Sequence, residues 1–181
     1  MTDRDTMRRC QALVDGIDVP VPYNLEALCQ MLSERRGRPI RISPLPPGVP
    51  AGNPCGGWIP LPATDVILVE ERTSRVHREQ IILHELAHML CGHADLRTVA
   101  EGLTSGLLAG QLTHLSPAAV QGMLARSSYD EPAEEEAELV ATLLADRIAE
   151  LRGAPPPLAT GTLRRITHAF GGPPPAREED A

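Results

Sequence analysis

The sequence contains no lysine. Its 17 basic residues are all arginine, set against 24 acidic ones, and the formal net charge is −7. Phosphate recognition needs a concentrated basic surface, so direct nucleic-acid binding is not expected. Aromatic residues make up only 2% of the chain: Trp58, Tyr23, Tyr129 and Phe170. The core must therefore be built from Leu, Ile, Val and Ala, and a hydrophobic content of 42% suffices for that. No apolar run reaches the roughly 18 residues of a membrane span. The opening "MTDRDTMRRCQALVDGIDV" has no apolar stretch of signal-peptide length. A cytoplasmic protein without a membrane partner is expected. Cys10, Cys29, Cys55 and Cys91 are scattered, with no C-x-x-C pair. In a reducing compartment they read as buried thiols rather than disulfides.

What is present points to one domain over residues 1–153, followed by a tail over 154–181. The tail carries two PPP runs and is expected to be partly disordered. Met7, Cys10, Leu13 and Val14 have helical spacing. A second helix starts at an Asn24 cap, carries Leu25, Leu28, Cys29 and Leu32 as one stripe, and stops at Gly37. "PIRIS", "WIPL" and "DVILVEE" read as short strands, separated by a Pro- and Gly-rich loop. Thr73 or Ser74 caps a long helix that runs to about Gly92. Residues 94–115 read as a flap or weak helix, and "SPAAVQGMLARSS" as a short helix capped by Ser116. Asp130 caps the clearest helix, "EPAEEEAELVATLLADRIAELRG", which Gly153 ends. Helices, then a few strands, then helices again imply an α+β fold with a small three-stranded sheet.

The chemistry concentrates in "IILHELAHMLCGH". Positions four apart share one helical face, so His84 and His88 can aim imidazole nitrogens at one ion. Glu85 lies about 100° round the helix from His84. There it can flank the ion without binding it and act as a general base. This is the physical content of H-E-x-x-H, a zinc-binding arrangement. Burying these groups among Ile81, Ile82, Leu83, Leu86 and Leu90 costs free energy unless a partner compensates. The bland alternative is a pair of satisfied core histidines beside an exposed glutamate.

Zinc needs a third protein ligand and, for hydrolysis, an open fourth position. His77 is two turns before His84 and too distant. Cys91 is a minor candidate. A second pattern, glycine three and histidine six residues after His88, fails, because those positions hold Cys91 and Ala94. His93 reads instead as a helix-end residue facing free carbonyls. On the acidic helix, Ala137, Val140, Ala141, Leu144, Ile148 and Leu151 share a face. Glu134 lies nearest that face, about 70° from its centre; Glu136 and Glu138 are farther out and Glu135 points away. Glu134 is thus the preferred third ligand. Glu138, one turn on, is expected to accept a hydrogen bond from a ligand histidine and fix its tautomer.

Taken together, "HELAH" and "EEEAELVATLL" resemble the ImmA/IrrE family of metallopeptidases, whose second helix reads E-x-E-A-N or similar. His84, Glu85 and His88 match the first motif; Glu134, Glu136 and Ala137 align with the second. Glu138 stands where the family has asparagine, and Val140 where it has an aromatic residue. The likeness covers about residues 24–150. It implies a zincin-like fold with Glu134 as the third zinc ligand. It also implies cleavage of a protein substrate, commonly a helix-turn-helix transcriptional repressor, in stress response or mobile-element regulation.

Two functions follow as expectations. One is a zinc endopeptidase with Glu85 as base and Tyr129 as a candidate oxyanion donor, an extended substrate adding to the "DVILVEE" strand as to a sheet edge. Tyr129 reads equally as a packing tyrosine. The other is a non-catalytic toxin–antitoxin or protein-binding module that keeps zinc for stability.

Overall fold

A computed structural model of the chain describes residues 3–45, 56–61, 63–93 and 130–153. The described residues form an α+β fold with four helices and a three-stranded mixed sheet. Helix α1 spans Asp3–Asp15 and α2 spans Leu25–Arg36. Strands β1 (Ile40–Pro44), β2 (Gly56–Pro60) and β3 (Asp65–Val69) follow. Helices α3 (Arg75–Cys91) and α4 (Glu131–Leu151) complete them. Among the described residues no helix is long and apolar enough to cross a membrane. Tyr129, the predicted flap at 94–115, the short helix after Ser116, Cys55 and the Pro-rich tail lie outside the described residues.

The helix ends follow local chemistry. The Asn24 side chain accepts from Ala27 N at 2.9 Å, and Gly37 closes α2 at φ 66. Ser74 accepts from His77 N at 3.1 Å, and Gly92 closes α3 at φ 74. Asp130 accepts from Ala133 N at 3.0 Å at the start of α4. Such caps satisfy amides and carbonyls that a helix end leaves open.

The sheet order is β1-β3-β2, with β1 parallel and β2 antiparallel to β3. This corrects the reading of "DVILVEE" as a substrate-pairing edge. β3 is central, and both of its edges are already hydrogen-bonded, from Asp65 opposite Ile40 and Pro60 to Val69 opposite Pro44 and Gly56. Every residue of β2 and β3 is buried, so neither strand shows an alternating pattern.

One buried carboxylate ties the sheet to its surroundings. Asp65 has no exposed surface. Its Oδ1 accepts from Trp58 Nε1 and Arg38 Nη2, each at 3.2 Å, and its Oδ2 from Arg36 Nη2 at 3.3 Å. Arg36 also donates through Nη1 to Met89 O at 3.0 Å, reaching one of the last carbonyls of α3. The far end of α3 is clipped to α4 in another way. Arg152 bonds Glu79 at 2.9 Å and lies over the Tyr23 ring at 4.2 Å.

The core joins α1, α2, the sheet, α3 and α4 through Val14, Leu28, Leu32, Ile67, Ile82, Leu86, Val140 and Leu144. The most extensive packing of any two elements is α3 against α4. Ala137, Val140, Ala141, Leu144 and Ile148 form the buried face of α4, as the helical wheel predicts. Leu151, assigned to the same face, is exposed, because it sits in the final turn beyond the packed region.

Candidate metal centre

Helix α3 carries His84, Glu85 and His88 into the interior, where they are 3%, 4% and 1% exposed. Sites this deep need partners for their polar atoms. The two histidine rings meet edge-on, with centroids 4.6 Å apart and planes at 79°. Their Nε2 atoms are 3.0 Å apart. Glu134, one turn into α4, brings Oε2 to 3.3 Å from His84 Nε2 and 3.7 Å from His88 Nε2. Three lone-pair atoms from two helices thus converge. One proton can bridge only two of them, whereas one cation satisfies all three. Tetrahedral zinc with ligand bonds of about 2.0–2.1 Å places its donor atoms about 3.3 Å from one another. The observed triangle fits that requirement.

The charge states fit as well. Burial pushes the His88 pKa down to about 4, which keeps the ring neutral with a lone pair to offer. Burial alone would raise Glu134, but the His84 and His88 rings beside it outweigh burial and hold the carboxyl at about 2. A neutral His88 ring and an ionised carboxylate are the protonation states in which these two groups ligate a metal.

Glu85 sits beside this triangle and outside it. Burial raises its pKa to about 7, against the opposing effect of a hydrogen bond from the Trp58 backbone amide. Its Oε2 is buried with no hydrogen-bond partner among the described residues. A carboxyl with an open oxygen and a pKa near neutrality can take up and release a proton at physiological pH. The strand that supports it is β2, an edge of the sheet in the described residues, not β3.

Glu138 Oε1, expected to accept from a ligand histidine, is buried with no hydrogen-bond partner among the described residues, and His84 acts on the carboxyl through charge. Burial raises its pKa. His93 meets a helix-end carbonyl through its backbone amide, which donates to His88 O at 3.1 Å. Its ring makes contacts that the sequence did not suggest. Its Nδ1 lies 3.0 Å from His88 Nδ1, and its Nε2 lies 3.2 Å from Glu136 Oε2. Glu136 in turn accepts from Arg9 Nε at 2.9 Å and Nη2 at 2.6 Å. The side chains that line up behind the His88 ring are therefore His93 and Glu136. A sequence signal existed for Glu136, its place in the acidic run. None existed for Arg9, 127 residues away from Glu136.

Two groups among the described residues could hold a metal ion: His84, His88 and Glu134, and, less buried, Cys91, His93 and Glu136. Cys91 therefore belongs to the neighbouring cluster and not to the triangle.

No protein-family model matches the chain, and no curated protein and no solved structure matches it.

Proposed function

We propose that this chain is a zinc-dependent endopeptidase with a zincin-like catalytic core. His84, His88 and Glu134 are its zinc ligands and Glu85 is its general base. The observation that carries this reading is the open, buried oxygen of Glu85 next to three converging donor atoms. A structural zinc closes its shell with four protein ligands, whereas three leave a position for water or substrate. Zinc bound here supplies Lewis acidity toward water and toward the scissile carbonyl. Glu85 takes the proton from water as its oxygen adds to the carbonyl carbon. It then passes that proton to the amide nitrogen as the C–N bond breaks. The pKa of about 7 suits both halves of this transfer.

The substrate class follows from the resemblance of "HELAH" and "EEEAELVATLL". It is a protein, and a helix-turn-helix transcriptional repressor is the leading choice. Catalysis takes place without nucleic-acid or membrane contact. A second reading is supported by the way the donors span α3 and α4. An ion that joins two helices also suits a non-catalytic, zinc-stabilised module of a toxin–antitoxin or other protein-binding system.

Glu85→Gln separates the two. Incubation with the repressor encoded nearest the gene, with fragments read by mass spectrometry, should show cleavage by the native chain. The variant should keep its zinc and lose cleavage by about 10²–10⁴-fold. A variant that cleaves as well as the native chain contradicts the assignment of the base. A native chain that binds the repressor and never cuts it favours the module.

A further inference from the structure

With neutral imidazoles, the contacts from Arg9 to His88 form a line of hydrogen bonds that runs in one direction only. Arg9 is always a donor. Its guanidinium holds Glu136 Oε1 through two bonds of 2.9 and 2.6 Å. Cys10 Sγ stands 3.9 Å from the same oxygen, as a further donor. Glu136 is ionised beside this cation and can only accept. The proton between Glu136 Oε2 and His93 Nε2, 3.2 Å apart, therefore sits on His93. A neutral His93 with its proton on Nε2 has only a lone pair on Nδ1. The proton between His93 Nδ1 and His88 Nδ1, 3.0 Å apart, must then belong to His88. A neutral His88 that carries its proton on Nδ1 presents a bare Nε2 lone pair, and Nε2 is the atom aimed at His84 and Glu134.

We propose that Arg9, Glu136 and His93 are positioning residues that lock His88 in its metal-binding tautomer before any ion arrives. This rests on the metal-site reading above and deepens it. The backbone prepares the arrangement. Gly92, at φ 74, turns the chain back at the end of α3, so that His93 N donates to His88 O at 3.1 Å. That turn folds the His93 ring onto the His88 ring, with centroids 5.2 Å apart. Glu136 comes from α4 and Arg9 from α1, so three helices contribute to one lone pair.

The same logic predicts that Cys91, His93 and Glu136, which could hold an ion by themselves, do not do so alongside the first site. An ion there would take the His93 Nε2 lone pair and move the proton to Nδ1. That proton would have to be donated to His88 Nδ1, which would put the His88 proton on Nε2 and close the first site. The Arg9 guanidinium on Glu136 also repels a cation.

The test is the His88 tautomer in metal-free protein, read from side-chain ¹⁵N shifts, together with zinc affinity by chelator competition. The native chain should hold His88 with its proton on Nδ1. His93→Phe and Glu136→Gln should populate the other tautomer and weaken zinc about 10–100-fold. Arg9→Met, at a site with a half-exposed side chain, leaves the core intact and should shift both readouts in the same direction by less. Glu135→Gln, on the exposed side of α4, should move neither. A native His88 protonated on Nε2 overturns the proposal, as does an unchanged tautomer and affinity in all three variants. If the native chain binds no zinc, the metal reading fails, and the tautomer still decides the lock.

Discussion

At the scale of single residues, the convergence of His84, His88 and Glu134 is legible in the sequence. His84, Glu85 and His88 announce themselves because a four-residue spacing has one geometric meaning on a helix, and apolar neighbours force burial. Glu134 was found by the wheel because its side of α4 faces α3. His93 and Glu136 were missed for identifiable reasons. His93 follows a left-handed glycine, so helical periodicity stops predicting its direction at Gly92. Glu136 sits farther from the buried face than Glu134 on a wheel, but α1 covers that side and delivers Arg9. The thiols yield a prediction at this scale. Burial raises Cys29 to about 11 and Cys91 to about 12, from an ordinary value near 9.0. Only the thiolate reacts. Both should resist a disulfide reagent at pH 8 in the folded chain and react fast once it is unfolded. For Cys29 the sign on stability follows: between 9.0 and about 11 the unfolded chain gives up its proton first, so stability falls as pH rises through that window. Rapid labelling of both thiols in native protein at pH 8 would contradict these values.

At the scale of elements, helices were easier to place than strands. Asn24, Gly37, Ser74, Gly92 and Asp130 act through local capping, which sequence displays directly. Strand order is a long-range property, and the central position of β3 could not be read from "DVILVEE", since a fully buried strand shows no alternation. Two substitutions probe how the sheet supports α3. A Cβ on Gly56 would collide with the Ile81 side chain and lie 2.9 Å from Leu68 O, so β2 approaches α3 as closely as only glycine allows. Gly56→Ala should cost about 1–3 kcal/mol in chemical denaturation through overpacking. Asp65→Ala should cost more, about 3–5 kcal/mol, because Arg36 and Arg38 lose the buried carboxylate that pairs with them. A loss below about 1 kcal/mol in Asp65→Ala would mean that the network is spectator to the fold.

At the scale of the whole molecule, the α+β class followed from the order of elements, and the pairing of α3 with α4 from the wheel that put Glu134 beside the histidines. What could not be foreseen is how α1 joins the site through α4. The centre draws on helices from both ends of the described chain, so metal binding and folding should be coupled. Anything bound by the folded state alone stabilises it by about 4 kcal/mol at a concentration of 1,000 times Kd. For a domain of this size that corresponds to a rise in Tm of about 10 °C. Chelation should reverse the rise, and Glu134→Ala should abolish most of it. A melting temperature indifferent to zinc and chelator would uncouple the ion from the α3–α4 pair.

The central claim is that two imidazoles and one carboxylate, from two helices, share one ion. X-ray absorption at the zinc edge of protein loaded with one equivalent reads that ligand set directly. We predict a first shell of nitrogen and oxygen at about 2.0–2.1 Å with two imidazole scattering patterns, and no sulfur. A sulfur shell at about 2.3 Å would place the ion with Cys91 instead and contradict the account.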